Sequence, residues 1–171
     1  MILENTFKKL SEKENATFQM QKGYVDLGDG ARSPDIYFYL LVNYLDRVIV
    51  IKNRIGVSEV GRISCDIFAE RDSLCFELNT RDHFTSLFLG KKNRFRMKTR
   101  NQNLKLFFKH SSSWKILKGI ADKTAFIPSI YGENINGRFI LTCEYNMEFK
   151  NKEKVLEPLL NLYKEFINQF G

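Results

Sequence analysis

Two histidines, His83 and His110, are the only imidazoles in the chain, so a side-chain proton relay near neutral pH starts from one of them. Asp82 directly precedes His83, an order in which a carboxylate can orient an imidazole that then acts as a base. The nucleophile would be Cys143 or one of Ser111, Ser112 and Ser113, brought near by folding. Together these residues would make a small hydrolase using His83 or His110. No GxSxG elbow, HExxH pair or phosphate-binding loop accompanies them, and a helix N-terminus with Asp82 in its cap region accounts for Asp82-His83 without catalysis.

A second chemistry is electrostatic. The formal charge is +7, yet Lys91 to Ile120 holds Lys91, Lys92, Arg94, Arg96, Lys98, Arg100, Lys105, Lys109, Lys115 and Lys118 without one acidic residue. Over Arg94 to Arg100, Phe95 and Met97 alternate with four cations, which predicts a strand with a cationic outer face. Leu104, Leu106 and Phe108 repeat the inward phase after Asn101-Gln102-Asn103, so residues 91–109 are expected to form a hairpin. Its outer face would carry Arg94, Arg96, Lys98, Arg100, Lys105 and Lys109, with Phe107 as a base-stacking surface. Such a face suits nucleic acid or an acidic protein, and it equally fits a solvated strand. No helix-turn-helix, RRM, KH or zinc-finger signature accompanies it.

Metal and cofactor chemistry find no foothold. Cys65, Cys75 and Cys143 are odd in number and form no CxxC, which argues for three reduced thiols rather than a disulfide framework or zinc knuckle. Asp26-Leu27-Gly28-Asp29-Gly30 lacks the ligand spacing of a calcium loop and reads as a turn. Glu144 and Glu148, four apart on one strand face, are too distant for a compact carboxylate pair. No cofactor or metal is expected. Tyr37, Tyr39 and Tyr44 leave room for an aromatic-lined groove.

These residues must be held by elements that the patterning outlines. Leu3, Phe7 and Leu10 form the stripe of a short helix over Ile2–Asn15. Gly23 to Pro34 collects glycines, Ser33 and Pro34 and reads as a loop. The β-branched and aromatic run Ile36–Val42 favours a strand, turned near Asp46 and followed by Val48–Lys52. Ile63, Cys65 and Ile67 against Leu74, Phe76 and Leu78 suggest a tight hairpin about Arg71 and Asp72. A short helix over Asp82–Leu89 follows, then the basic hairpin, then a helix capped within Ser111–Ser113 and carrying Trp114, Leu117 and Ile120. Arg138–Phe149 alternates strictly except at Ile140, and Asn136-Gly137 pairs it with a strand near Phe126–Tyr131, Pro128 sitting at an edge or bulge. Val155, Leu159, Tyr163, Phe166 and Phe170 define a wide C-terminal helical stripe that either begins at Pro158 or kinks there.

The expected class is therefore α+β: a largely antiparallel sheet of six to eight strands, packed by an N-terminal, one or two central and a C-terminal amphipathic helix. With 43% hydrophobic and 13% aromatic residues, residues 1–171 can bury the core of one domain. No run is long and apolar enough for a membrane helix, and the N-terminus lacks the apolar stretch of a secretory signal, so the expected location is the cytoplasm. The expected function is a non-enzymatic binding domain whose partner is another protein. Nucleic-acid binding through residues 91–109 is the alternative, and the small hydrolase the third reading.

Overall fold

Alternation along every strand decides which face of the sheet the helices cover. The structure, a computed structural model, describes residues 2–69, 72–81 and 94–171. Helix α1 (Ile2–Glu14) leads into β1 (Thr17–Gly28), β2 (Ala31–Tyr44), β3 (Arg47–Ile55) and β4 (Val60–Ala69). Then come β5 (Phe76–Thr80), β6 (Phe95–Lys98), helices α2 (Gln102–His110) and α3 (Ser112–Lys123), β7 (Pro128–Ile135), β8 (Arg138–Asn146) and helix α4 (Leu156–Phe170). The fold is α+β: the described residues form eight antiparallel strands in one sheet ordered β1-β2-β3-β4-β8-β7-β5-β6.

One face of that sheet is apolar along its registers. Leu40, Ile51, Ile63, Cys143, Ile130, Leu78 and Met97 stand in one row across seven strands. The described helices pack on this face. Phe7 of α1 meets Phe38 at 5.4 Å between ring centres, and Phe166 of α4 stacks on Phe139 and Phe76. Phe108 of α2 meets Phe76, while Trp114 of α3 meets Phe95 edge-on. Each buried ring of this kind is worth about 2–3 kcal/mol of transfer free energy, which is how short amphipathic helices are held to a sheet. Tyr163 reaches into the core and donates its hydroxyl to the carbonyl of Ile63 at 2.7 Å, joining α4 to β4.

Several sequence expectations change. Gly23–Pro34 is no loop: only Asp29 and Gly30 turn, with positive φ at Gly28, Asp29 and Gly30, and the rest pairs as the β1–β2 ribbon. Pro34 sits where β2 has β1 as its neighbour and β3 no longer pairs, so its missing donor costs no ladder bond. The hairpin of Ile63–Ile67 with Leu74–Leu78 does not form, because β4 spends its edges on β3 and β8, and β5 pairs with β7 and β6. α4 begins at Leu156 rather than at Pro158, which lies in the first turn, where the backbone donor it lacks has no intrahelical acceptor. The Asp82–Leu89 helix falls outside the described residues.

The largest correction concerns the basic hairpin. Its second half is helix α2, capped by Asn101, whose side chain accepts from the N–H groups of Asn103 (2.8 Å) and Leu104 (3.2 Å). Leu104, Phe107 and Phe108 are buried at i, i+3 and i+4, a helical set that outweighs the strand-like alternation of Leu104, Leu106 and Phe108.

Candidate functional site

The face turned away from the helices is the second product of the same alternation. Where Phe38, Leu40 and Val42 of β2 point to the core, Tyr37 and Tyr39 point the other way. The register then carries one polar row across the whole sheet: Gln19, Tyr39, Lys52, Arg62, Glu144, Ser129, Asn79 and Arg96.

A groove of about 700 Å³ lies on this row, lined by Tyr37, Lys52, Arg54, Arg62, Glu144 and Asn146 among others, with Gly61 and Tyr145 at its floor. The Tyr37 and Tyr39 rings stack at 6.2 Å and 18°, and the Lys52 ammonium lies 5.3 and 5.4 Å from their centres. This is cation–π geometry and holds the lysine against the aromatic pair. Lys52 has no carboxylate within ion-pair distance among the described residues, whereas Arg54 and Arg62 have theirs.

Tyr37 is fixed from below. Buried Asp35 accepts two bonds from Arg54 Nε, at 2.9 and 3.0 Å. The Arg54 hydrogen bond holds the Asp35 carboxyl below the usual carboxylate range, and Asp35 in turn raises the Tyr37 hydroxyl through a hydrogen bond. On the far wall Ser129 donates to Asn79 (2.7 Å), and Asn146 accepts from the Ile127 N–H (2.9 Å). Burial, with Glu144 beside it, raises the Tyr131 hydroxyl. The groove is thus a fixed aromatic pair beside a cation that no described carboxylate pairs, with hydrogen-bonding groups opposite.

The cations singled out in the sequence do not share a face. Arg94 is buried, 6% exposed, and donates to the carbonyls of Arg81 (3.0 Å) and Ala121. Arg96 is exposed on β6, Lys98 pairs with Glu77 at 2.6 Å, and Arg100 is exposed ahead of α2. Lys105 and Lys109 are exposed on α2, one helical turn apart. Phe107 is 5% exposed and packs edge-on against Phe108, Phe166 and Phe170, so it offers no stacking surface. The physical reason is the period: residues two apart share a strand face but stand about 200° apart on a helix.

His83 and Asp82 lie outside the described residues. His110 is exposed at the end of α2, next to the three serines. All three hydroxyls donate to the carboxylate of Glu165, from Ser112 at 2.9 Å and Ser113 at 2.6 Å, and the Ser113 N–H adds a fourth bond at 3.3 Å. Their protons are therefore directed to Glu165 and not to His110. Burial raises the Glu165 carboxyl, but the serine hydroxyls together outweigh this and leave it below the usual range, the wrong direction for a base. The arrangement caps the N-terminus of α3. Cys143 is fully buried, and burial pushes its thiol well above the ordinary range. Glu148 lies beyond the end of β8, so it does not share that strand face with Glu144.

Sequence reasoning noted Tyr37 and Tyr39 but missed Lys52, Arg54 and Arg62, and weighed Glu144 only as a partner for Glu148; these residues are far apart in the chain. The signal lay in the alternating phase that places Lys52 and Arg54 on β3, Arg62 on β4 and Glu144 on β8, legible only once the strand order is known. Comparison of the chain with protein-family models, curated proteins and solved structures finds no match.

Proposed function

We propose that this protein is a non-enzymatic binding domain whose partner is a segment of another protein, taken up on the uncovered face of the sheet. The observation that carries the reading is the Lys52 ammonium held over the Tyr37–Tyr39 pair without a carboxylate of its own among the described residues. An acidic side chain next to a flat apolar one satisfies both features at once. A partner segment lying across the strands would also reach Ser129, Asn146 and Glu144.

Nucleic acid fits the groove less well. Glu144 stands in the polar row, and Asp35, Glu77 and Asp66 already neutralise Arg54, Lys98 and Arg138 on the same face. A polyphosphate would meet little net positive charge there.

The test is fluorescence anisotropy with a labelled peptide alternating glutamate and phenylalanine, compared with a single-stranded oligonucleotide of equal length. The expected result is saturable peptide binding that Lys52→Glu abolishes and Tyr37→Ala weakens. Tighter binding of the oligonucleotide, or peptide binding indifferent to Lys52→Glu, overturns the reading.

A further inference from the structure

The sheet ends in two edges of very different character. At one end β6 is four residues long and carries Arg96 and Lys98, and short, charged edges resist pairing with another chain. At the other end β1 runs for twelve residues, contains no proline and carries only Lys22 and Asp26 as charges. Pairing of β2 with β3 stops at Ile36 and Ile55, so among the described residues Gly23–Gly28 pairs with β2 alone. A two-stranded ribbon is only marginally stable in water. This one also exposes Tyr24 at 74% and Leu27 at 56%.

We propose that two copies of this chain associate through β1, antiparallel about a two-fold axis at Tyr24, so that Lys22 of each copy faces Asp26 of the other. Lys22 and Asp26 lie two residues either side of Tyr24 on one strand face, so this axis creates the opposite-charge pair twice. The same axis sets the two Tyr24 rings directly across from each other. An axis at Lys22 or Asp26 would place like charges in register, and one at Gly23 or Val25 would place a charge opposite Tyr24. Asp26 also accepts from the Gly28 N–H at 2.9 Å and lies across the ribbon from Arg32, so the incoming Lys22 adds a second cation to a carboxylate already facing one. The register shift between Asp26 and Gly28 ends the regular pairing at that point. A two-fold of this kind keeps the helices of both copies on one side and joins the two uncovered faces into a continuous surface. β1 and the groove are separate surfaces, and loss of binding at one leaves the other intact.

The test is sedimentation velocity over a wide concentration range, with circular dichroism to confirm that each variant keeps its fold. The wild-type chain is expected to dimerise. Lys22→Asp and Asp26→Lys are each expected to weaken self-association about tenfold or more, because two attractive pairs become repulsive in each. An equimolar mixture of the two variants should recover dimers, since Lys22→Asp then faces Asp26→Lys across the axis. The double charge swap should recover them by itself. A wild-type chain that stays monomeric at hundreds of micromolar overturns the proposal, as does a dimer indifferent to the single reversals or a mixture that fails to recover.

Discussion

Gly61 offers a sharp test of how the groove floor is built. It faces Tyr145 directly across the β4–β8 pair, and a Cβ added to it would lie 2.2 Å from Cε2 and 2.3 Å from Cζ of that ring. Both are far inside van der Waals contact, so in Gly61→Ala the ring must move by more than an ångström. Tyr145 has little freedom to do so, because its hydroxyl donates to Asn53 Oδ1 at 2.7 Å and Phe126 packs edge-on at 5.8 Å. Overpacking costs about 1–3 kcal/mol, and breaking the bond to fully buried Asn53 adds about 1–2 kcal/mol. The expected loss is about 2–5 kcal/mol, or on the order of 5–15 °C in the melting temperature of a chain this size. Urea denaturation of Gly61→Ala, Tyr145→Phe and the double variant measures it. Tyr145→Phe alone should lose about 1–2 kcal/mol. Since the hydrogen bond can be lost only once, Gly61→Ala should cost less in the phenylalanine background by about that amount. A Gly61→Ala variant within about 1 kcal/mol of wild type, or strict additivity in the cycle, would refute the reasoning.

Native-state titration with a thiol reagent at pH 8 should label Cys75, which is exposed, and leave Cys65 and Cys143 silent until denaturant is added. Burial pushes the Cys65 thiol up to about 12 and that of Cys143 higher still; fast labelling of more than one thiol would contradict this. Glu165→Gln should destabilise the fold by about 1–2 kcal/mol at pH 7, because the charge at the α3 N-terminus is lost. The Glu165 carboxyl lies below its unfolded value, so its ionised contribution is present above the ordinary glutamate range and is lost as pH falls through the lower folded value. Urea melts from pH 7 to pH 3 should therefore show the gap between wild type and variant closing at the acid end, and a constant gap would exclude an ionic contribution. Arg94→Gln should cost about 2–3 kcal/mol while Arg96→Gln stays within about 0.5 kcal/mol, two neighbours of one sequence phase separated by burial. Equal effects in paired urea melts would contradict the placement of Arg94.

What the sequence made legible follows the range of the interactions involved. Helix α1, the β2–β3 turn, the Asn136-Gly137 hairpin and the Ser111 cap of α3 are local, and each was readable from neighbouring residues. In the basic segment two periods compete. Leu104, Leu106 and Phe108 satisfy a strand, but Leu104, Phe107 and Phe108 satisfy a helix, and the Asn101 cap decides between them. Gly28 and Pro34 suggested a loop, yet both are tolerated where a ribbon has only one neighbouring strand. The groove was least legible, because Lys52, Arg62 and Glu144 become neighbours only through pairing between strands distant in the chain.

The strand order also governs when the fold can be completed. β7 and β8 follow the other described strands in the chain, yet they occupy the middle of the sheet, between β4 on one side and β5 on the other. Until residue 146 is available, the β1–β4 meander and the β5–β6 pair are two separate pieces, each with an unsatisfied inner edge. A nascent chain of this topology must therefore keep two sticky half-sheets apart during synthesis, and shielding by chaperones would matter most in the interval before the closing hairpin is inserted.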